Sequence, residues 1–195
     1  MSELVFLLEE LSARVMLEGL LPKLLPDTIH CRFIVFEGKQ DLEKQLVRRM
    51  RGYRVPNARF VVLRDKDLED CREVKNRLVT KCREAERPES LVRVACHELE
   101  SWYLGDLAAV EAGLGINGLV RNQNKAPYDV PDDVASPAKK LQTIAPTYQK
   151  VGGSRAIGPH LNPANNRSHS FSVFVAGIRR LVSNLTRNQS TSSLV

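Results

Sequence analysis

Six acids stand where apolar runs give out. Leu4-Val5-Phe6-Leu7-Leu8 runs into Glu9-Glu10, Phe60-Val61-Val62-Leu63 runs through Arg64 into Asp65-Lys66-Asp67, and Leu91-Val92-Arg93-Val94-Ala95 leads to Glu98-Leu99-Glu100. Side chains two apart share a face of a strand, so Asp65 and Asp67 at a strand end would meet one divalent cation. Asp67 would equally serve as the cap of a helix beginning near Leu68. Glu9, on a parallel neighbour roughly 5 Å away, would join them. Glu98 and Glu100 either complete the cluster or solvate a helix start, where acids are favoured anyway. Of the adjacent Glu9 and Glu10, one would face the site. Carboxylates gathered in this way suit Mg²⁺ or Mn²⁺ and phosphoryl chemistry. The candidate metal set is therefore Glu9, Asp65, Asp67, Glu98 and Glu100.

Positioning these acids requires a parallel sheet. Short apolar runs of this kind read as strands buried on both faces, and ligands of such sheets sit outside the carboxyl ends of the strands. Strands are expected at about 4–8, 31–36, 59–64 and 91–96. Helices are expected at about 12–25, 40–51 and 68–86, with shorter ones near 98–104 and 106–112. Ser12 is the expected N-cap of the first, and Pro22 should kink or end it. Leu42, Leu46 and Met50 form the apolar stripe of the second. Arg48, Arg49, Arg51 and Arg54 gather at its end, where a helix C-terminus favours cations and where phosphate would also be bound. This alternation predicts an α/β, Rossmann-like fold with right-handed crossovers and helices on both sheet faces.

Residues 113–167 are rich in Gly, Asn and Pro and predict loops with one short helix near 137–144. Phe171, Phe174, Val175, Ile178, Leu181, Val182 and Leu185 then mark an amphipathic helix over 169–186. The expected organisation is an α/β core over 1–112, a basic loop-rich extension with its closing helix over 113–186, and a disordered tail over 187–195. Charge follows the same division. Of the net +6, residues 120–195 hold ten Lys/Arg against three Asp, a local +7, and the 19 basic and 20 acidic residues before them give −1. An acid-bearing half joined to a basic half fits a polyanion, with bases tracking phosphates. Lys150, Arg155, Arg167 and His169 are the candidate nucleic-acid contacts, and a solvated basic surface is the alternative.

Other chemistries find little support. No apolar run reaches the ~20 residues that span a bilayer. Met1-Ser2-Glu3 has no basic n-region, so neither a signal peptide nor membrane attachment is expected and the chain reads as cytoplasmic. Cys31, Cys71, Cys82 and Cys96 lack CxxC spacing and read as reduced thiols. Cys96-His97 lacks the second pair that zinc needs, so His97 reads as structural. Trp102 and Tyr103 read as core or subunit-interface residues, the latter implying a homodimer. Gly152-Gly153 is too short to cradle a phosphate, and no Walker A or dinucleotide fingerprint is present.

A glutamate after the first strand and DxD after a later one, in an α/β chain, resembles the Toprim domain of topoisomerases, bacterial primases and overcoming-lysogenization-defect nucleases. More closely, the chain resembles the Toprim-like bacterial domain-of-unknown-function family 4276. The stretches that carry this are Val5 to Ser12, Val61 to Asp67, His97-Glu98-Leu99-Glu100-Ser101-Trp102-Tyr103-Leu104-Gly105-Asp106, Tyr148-Gln149-Lys150, and Asn166 to Phe171. The resemblance implies that Glu9 is a general acid/base or metal ligand, that Asp65 and Asp67 bind metal, and that an ATPase encoded in the same phage-defence operon is a partner. It departs where many Toprim nucleases carry glycine directly after the first glutamate and another acid four residues beyond it. Here those positions hold Glu10 and Ala13.

The expected function is a Mg²⁺-dependent nuclease in which Lys66, Arg64, Lys150 or Arg167 stabilises developing charge. Glu9, Asp65, Asp67, Lys150 and Arg167 are its candidate catalytic residues. The rival readings are a non-catalytic nucleic-acid- or ATPase-binding subunit and an enzyme for small phosphate substrates.

Overall fold

The four apolar runs pair in parallel in the order β2-β1-β3-β4, where β1 is Ser2–Leu8, β2 Ile29–Val35, β3 Arg59–Asp65 and β4 Leu91–Ala95. The structure is a computed structural model and describes residues 2–192. β1 is central, with Phe6 beside Phe33 of β2 and Val61 of β3, while Asp65 pairs with Ala95 of β4. Its Leu4 to Leu8 are wholly buried because both faces of the sheet are covered.

The alternation along β1 divides the core. Leu4, Phe6 and Leu8 face α1 (Leu11–Leu20) and the C-terminal elements. Val5 and Leu7 face α2 (Lys39–Gly52) and α3 (Cys71–Glu84), whose Leu42, Leu46, Met50, Val74 and Leu78 are buried against them. Helices on both faces are as expected. Pro22 ends α1, which gives way to a 3-10 turn at Leu21–Lys23. Ser12 is not the cap: α1 begins one residue earlier, after Glu10, and no side chain caps it. Nor is Asp67 the cap of α3. That helix starts later, and Asp70 accepts the Arg72 and Glu73 backbone N–H groups at 2.8 and 3.1 Å.

The extension is more regular than its composition suggests. After α4 (Glu100–Leu104) and α5 (Leu107–Leu114) come α6 (Pro137–Ile144), as expected, and α7 (Lys150–Ile157), which the Gly-Gly pair disguises as loop. Leu141, Tyr148, Ile157, Leu161 and Phe171 join the same apolar cluster as β1 Leu4 and Phe6, so the extension completes one core face. α8 (His169–Ser192) runs past 186 through the start of the expected disordered tail, whose residues 193–195 lie outside the described residues. Among the described residues no helix is long and apolar enough to cross a membrane.

Candidate active site

In the order β2-β1-β3-β4 the winding reverses between β1 and β3, and the crevice beyond that switch point is where open parallel sheets bind ligands. Glu9 leaves the end of β1 and Asp65 ends β3. The Glu9 carboxylate accepts the Asp65 backbone N–H at 3.1 Å, so the two acids are tied across the switch point. Beside them, walled by Glu9, Glu10, Ser12, Ala13, Leu63, Arg64, Asp65 and Leu99, lies a crevice of about 10 Å³. That is the lower limit of room for one water molecule. Ala13 contributes an apolar methyl group to its wall.

Glu100 approaches the same acids from α4. It is 1% exposed. One of its oxygens accepts the Tyr148 hydroxyl at 2.8 Å, and the other, Oε2, is buried without a partner. Burial first, and then Glu9 and Glu100, push the Asp65 carboxyl well above the usual range, against the opposing pull of Lys150. Burial likewise raises Glu9, with Asp67 adding to it, and raises Glu100 against the Tyr148 hydrogen bond. Burial, together with their neighbours' charges, thus holds three carboxyls near one sheet edge toward the protonated form.

Lys150 supplies the local positive charge. It is the first residue of α7 and its Nζ is paired with Glu10. Burial works against its charge, but Glu10, Glu100 and Asp65 outweigh it and its pKa rises. Lys150 therefore acts as a fixed cation. Glu9 is the one of the adjacent glutamates that faces Asp65, while Glu10 holds Lys150.

The remaining candidates divide. Asp67 is not on the strand alternation that would aim it beside Asp65, because β3 ends at Asp65 and Asp67 takes a left-handed backbone with φ +53°. Its backbone N–H donates to the His97 carbonyl at 2.8 Å, and its carboxylate pairs with Lys39 of α2 at 2.7 Å. Asp67 is thus held against α2 by Lys39 and acts on Glu9 through its charge. Glu98 is turned out of the cluster. It accepts the Ala138 backbone N–H at 2.8 Å and so caps α6, whose own N-cap residue Ser136 makes no side-chain bond. Arg64 is 1% exposed and held by Glu43 at 2.7 Å and by Glu69, on the α2/α3 side of the sheet. It also lines the crevice, its Nε standing 3.9 Å from the Glu9 carboxylate, so its charge stays beside the site.

Arg155 and His169 are exposed on α7 and α8. Arg167 donates to Asn124 Oδ1 at 2.7 Å, which ties two loops of the extension together. Trp102 and Tyr103 are wholly buried and belong to the core, Trp102 meeting Phe171 edge-to-face and Phe174 at a tilt, with ring centroids 5.3 and 5.1 Å apart. Trp102 Nε1 donates to Ser170 Oγ at 2.9 Å, and Ser168 and Ser170 hydrogen-bond Asp132. A Cβ on Gly105 would stand 2.1 Å from Asn166 Oδ1, so the stretches around Trp102 and Asn166 interlock. Nothing in the sequence pattern marks Asp132 for this role, and Tyr148 is marked only by standing two residues before Lys150.

These interlocking stretches are among those that carry the resemblance described above. The family model described as Domain of unknown function (DUF4276) matches residues 8–179, which includes every element from the end of β1 into α8. The chain belongs to the DUF4276 family. Neither a curated protein nor a solved structure matches it. In this DUF4276 chain, no three His, Cys, Asp or Glu side chains among the described residues form a ready-made metal group. The donors still fit one metal in kind. Mg²⁺ is held by one or two carboxylates together with waters and substrate phosphate rather than by an all-protein cage. Glu9 and Asp65 supply that pair of hard oxygens, and the charge of Glu100, whose Oε2 has no partner, acts on Asp65.

Proposed function

We propose that this DUF4276 protein is a Mg²⁺- or Mn²⁺-dependent phosphodiesterase that cleaves nucleic acid. The observation that carries the reading is the pairing of Glu9 and Asp65 at the switch point, with the Lys150 ammonium against the same cluster. Glu9 and Asp65 would hold the metal, with Glu100 as an additional acid. When bound, the metal would activate water and neutralise charge on the phosphate. Lys150 would leave Glu10 to hold a phosphate oxygen, and its charge suits the anion that develops during attack. Arg155, Arg167 and His169 would contact the backbone of a longer substrate. A cytoplasmic place in phage defence, beside an ATPase, belongs to the same proposal.

Ala13 at the crevice and Asp67 on Lys39 favour a second reading, a nucleic-acid- or ATPase-binding subunit without turnover. Incubation of the purified protein with DNA and RNA in Mg²⁺, Mn²⁺ or EDTA separates the two. Cleavage lost in EDTA and in Asp65→Asn supports the enzyme. Salt-sensitive binding without cleavage under every condition supports the subunit.

A further inference from the structure

Tyr148 and Gly153 lie outside the function proposed above, yet Tyr148 touches the buried acid Glu100 and Gly153 packs against Tyr148. Tyr148 is 1% exposed and donates its hydroxyl to Glu100 Oε1 at 2.8 Å. Burial beside Glu100 raises the phenol, so it remains a donor. This bond fixes one oxygen of Glu100 and leaves Oε2 without a partner. A buried carboxylate oxygen left unpartnered is costly, and its retention points to a ligand at that atom.

Gly153 sets how close the ring can come. A Cβ at Gly153 would stand 2.3 Å from Tyr148 Cδ2, whereas a Cβ at Gly152 would meet nothing within 4 Å. Both glycines weaken a helix interior. Only Gly153 has a packing reason, and that reason is the ring of Tyr148. The same helix begins with Lys150, whose carbonyl accepts the Ser154 hydroxyl at 2.6 Å. The turn that carries the site's cation therefore also carries the latch on its buried acid.

We propose that Tyr148 is a positioning residue of this site, acting through Glu100 to aim Oε2 at a divalent cation, with Gly153 setting its reach. The inference rests on the metal-dependent reading above. Partners of a metal ligand commonly change metal affinity 10- to 100-fold when they are removed.

The test uses the full chain and Mn²⁺ alone as probe, read by calorimetry and by the Mn²⁺ electron paramagnetic resonance signal, with thermal melts alongside. Tyr148→Phe is expected to weaken Mn²⁺ binding about 10- to 100-fold and to add nothing in a Glu100→Gln background. Gly153→Ala should weaken binding in the same direction, and Gly152→Ala should leave it unchanged. Wild type and Tyr148→Phe binding Mn²⁺ equally would overturn the latch while the metal reading stands. Wild type binding no Mn²⁺ would overturn the metal reading and the latch with it. If Tyr148→Phe does not fold, Gly153→Ala, which keeps the hydroxyl, decides the matter by the same comparison.

Discussion

The Glu9 carboxylate accepts the backbone N–H of Asp65 at 3.1 Å, joining the ends of two neighbouring parallel strands through one side chain. The donor is main chain, so the tie survives a change of the Asp65 side chain. Asp65→Asn should therefore leave the sheet intact while removing a ligand. Mn²⁺ affinity and any metal-dependent cleavage should fall at least ~10²-fold if the carboxylate stabilises the transition state as a ligand does. Binding and rate measured on one preparation check this.

The same substitution has a stability signature. Burial raises the carboxyls of Glu9, Asp65 and Glu100, so over the range between the unfolded carboxyl values, near pH 4, and their raised folded values the native state binds more protons than the unfolded chain. Stability then falls as pH rises through that range. Asp65→Asn removes one of these groups. Its melting temperature at pH 7.5 should exceed that of wild type by roughly 3 °C, about 1 kcal/mol, and the gap should close as pH falls toward 4. Melts across pH check it, and a variant less stable at every pH would contradict it.

Glu98 and Glu100 are two residues apart but answer different needs. Glu98 caps α6 through the Ala138 N–H at 2.8 Å, so Glu98→Ala should cost about 1 kcal/mol of stability and leave Mn²⁺ binding within about twofold. Glu100→Gln should do the reverse and weaken Mn²⁺ binding. Denaturant melts and metal titrations on the two variants separate the roles.

Much of the frame was legible from periodicity, and much of the site was not. Strands 4–8, 59–64 and 91–96 were readable because fully buried strands are continuous apolar runs, and Glu9 and Asp65 followed from them. Asp67 was misdirected because β3 stops at Asp65 and the next residues turn through a left-handed backbone at Asp67. Nothing local marks that turn. α7 was hidden because Gly152-Gly153 reads as a loop, whereas Gly153 is there to admit the Tyr148 ring. The pairing of Glu98 with α6 and of Arg64 with Glu43 and Glu69 spans distant segments, which periodicity does not register.

Arg64 offers a further test. It is buried with its charge shared between Glu43 and Glu69, with Glu9 3.9 Å from its Nε, and Arg77 braces Glu43 and Glu69 from outside. Arg64→Ala should cost about 3 kcal/mol, since it removes the buried member of a charge network and leaves a void. Chemical denaturation measures this. A change below 1 kcal/mol would show that the network contributes little.

If Arg155 contacts a nucleic-acid backbone, Arg155→Ala should reduce the slope of log affinity against log salt by roughly 0.7 to 0.9 for one lost phosphate contact. Fluorescence anisotropy at several salt concentrations reads that slope. An unchanged slope would remove Arg155 from the interface.

The most direct measurement of the central claim is cleavage of mixed DNA and RNA by the purified protein in Mg²⁺, Mn²⁺ and EDTA, with Asp65→Asn alongside. Metal-dependent cleavage that EDTA and Asp65→Asn both abolish is the predicted result. Cleavage that persists in EDTA, or that Asp65→Asn retains in full, would contradict the assignment of the Glu9–Asp65 pair as the catalytic metal site.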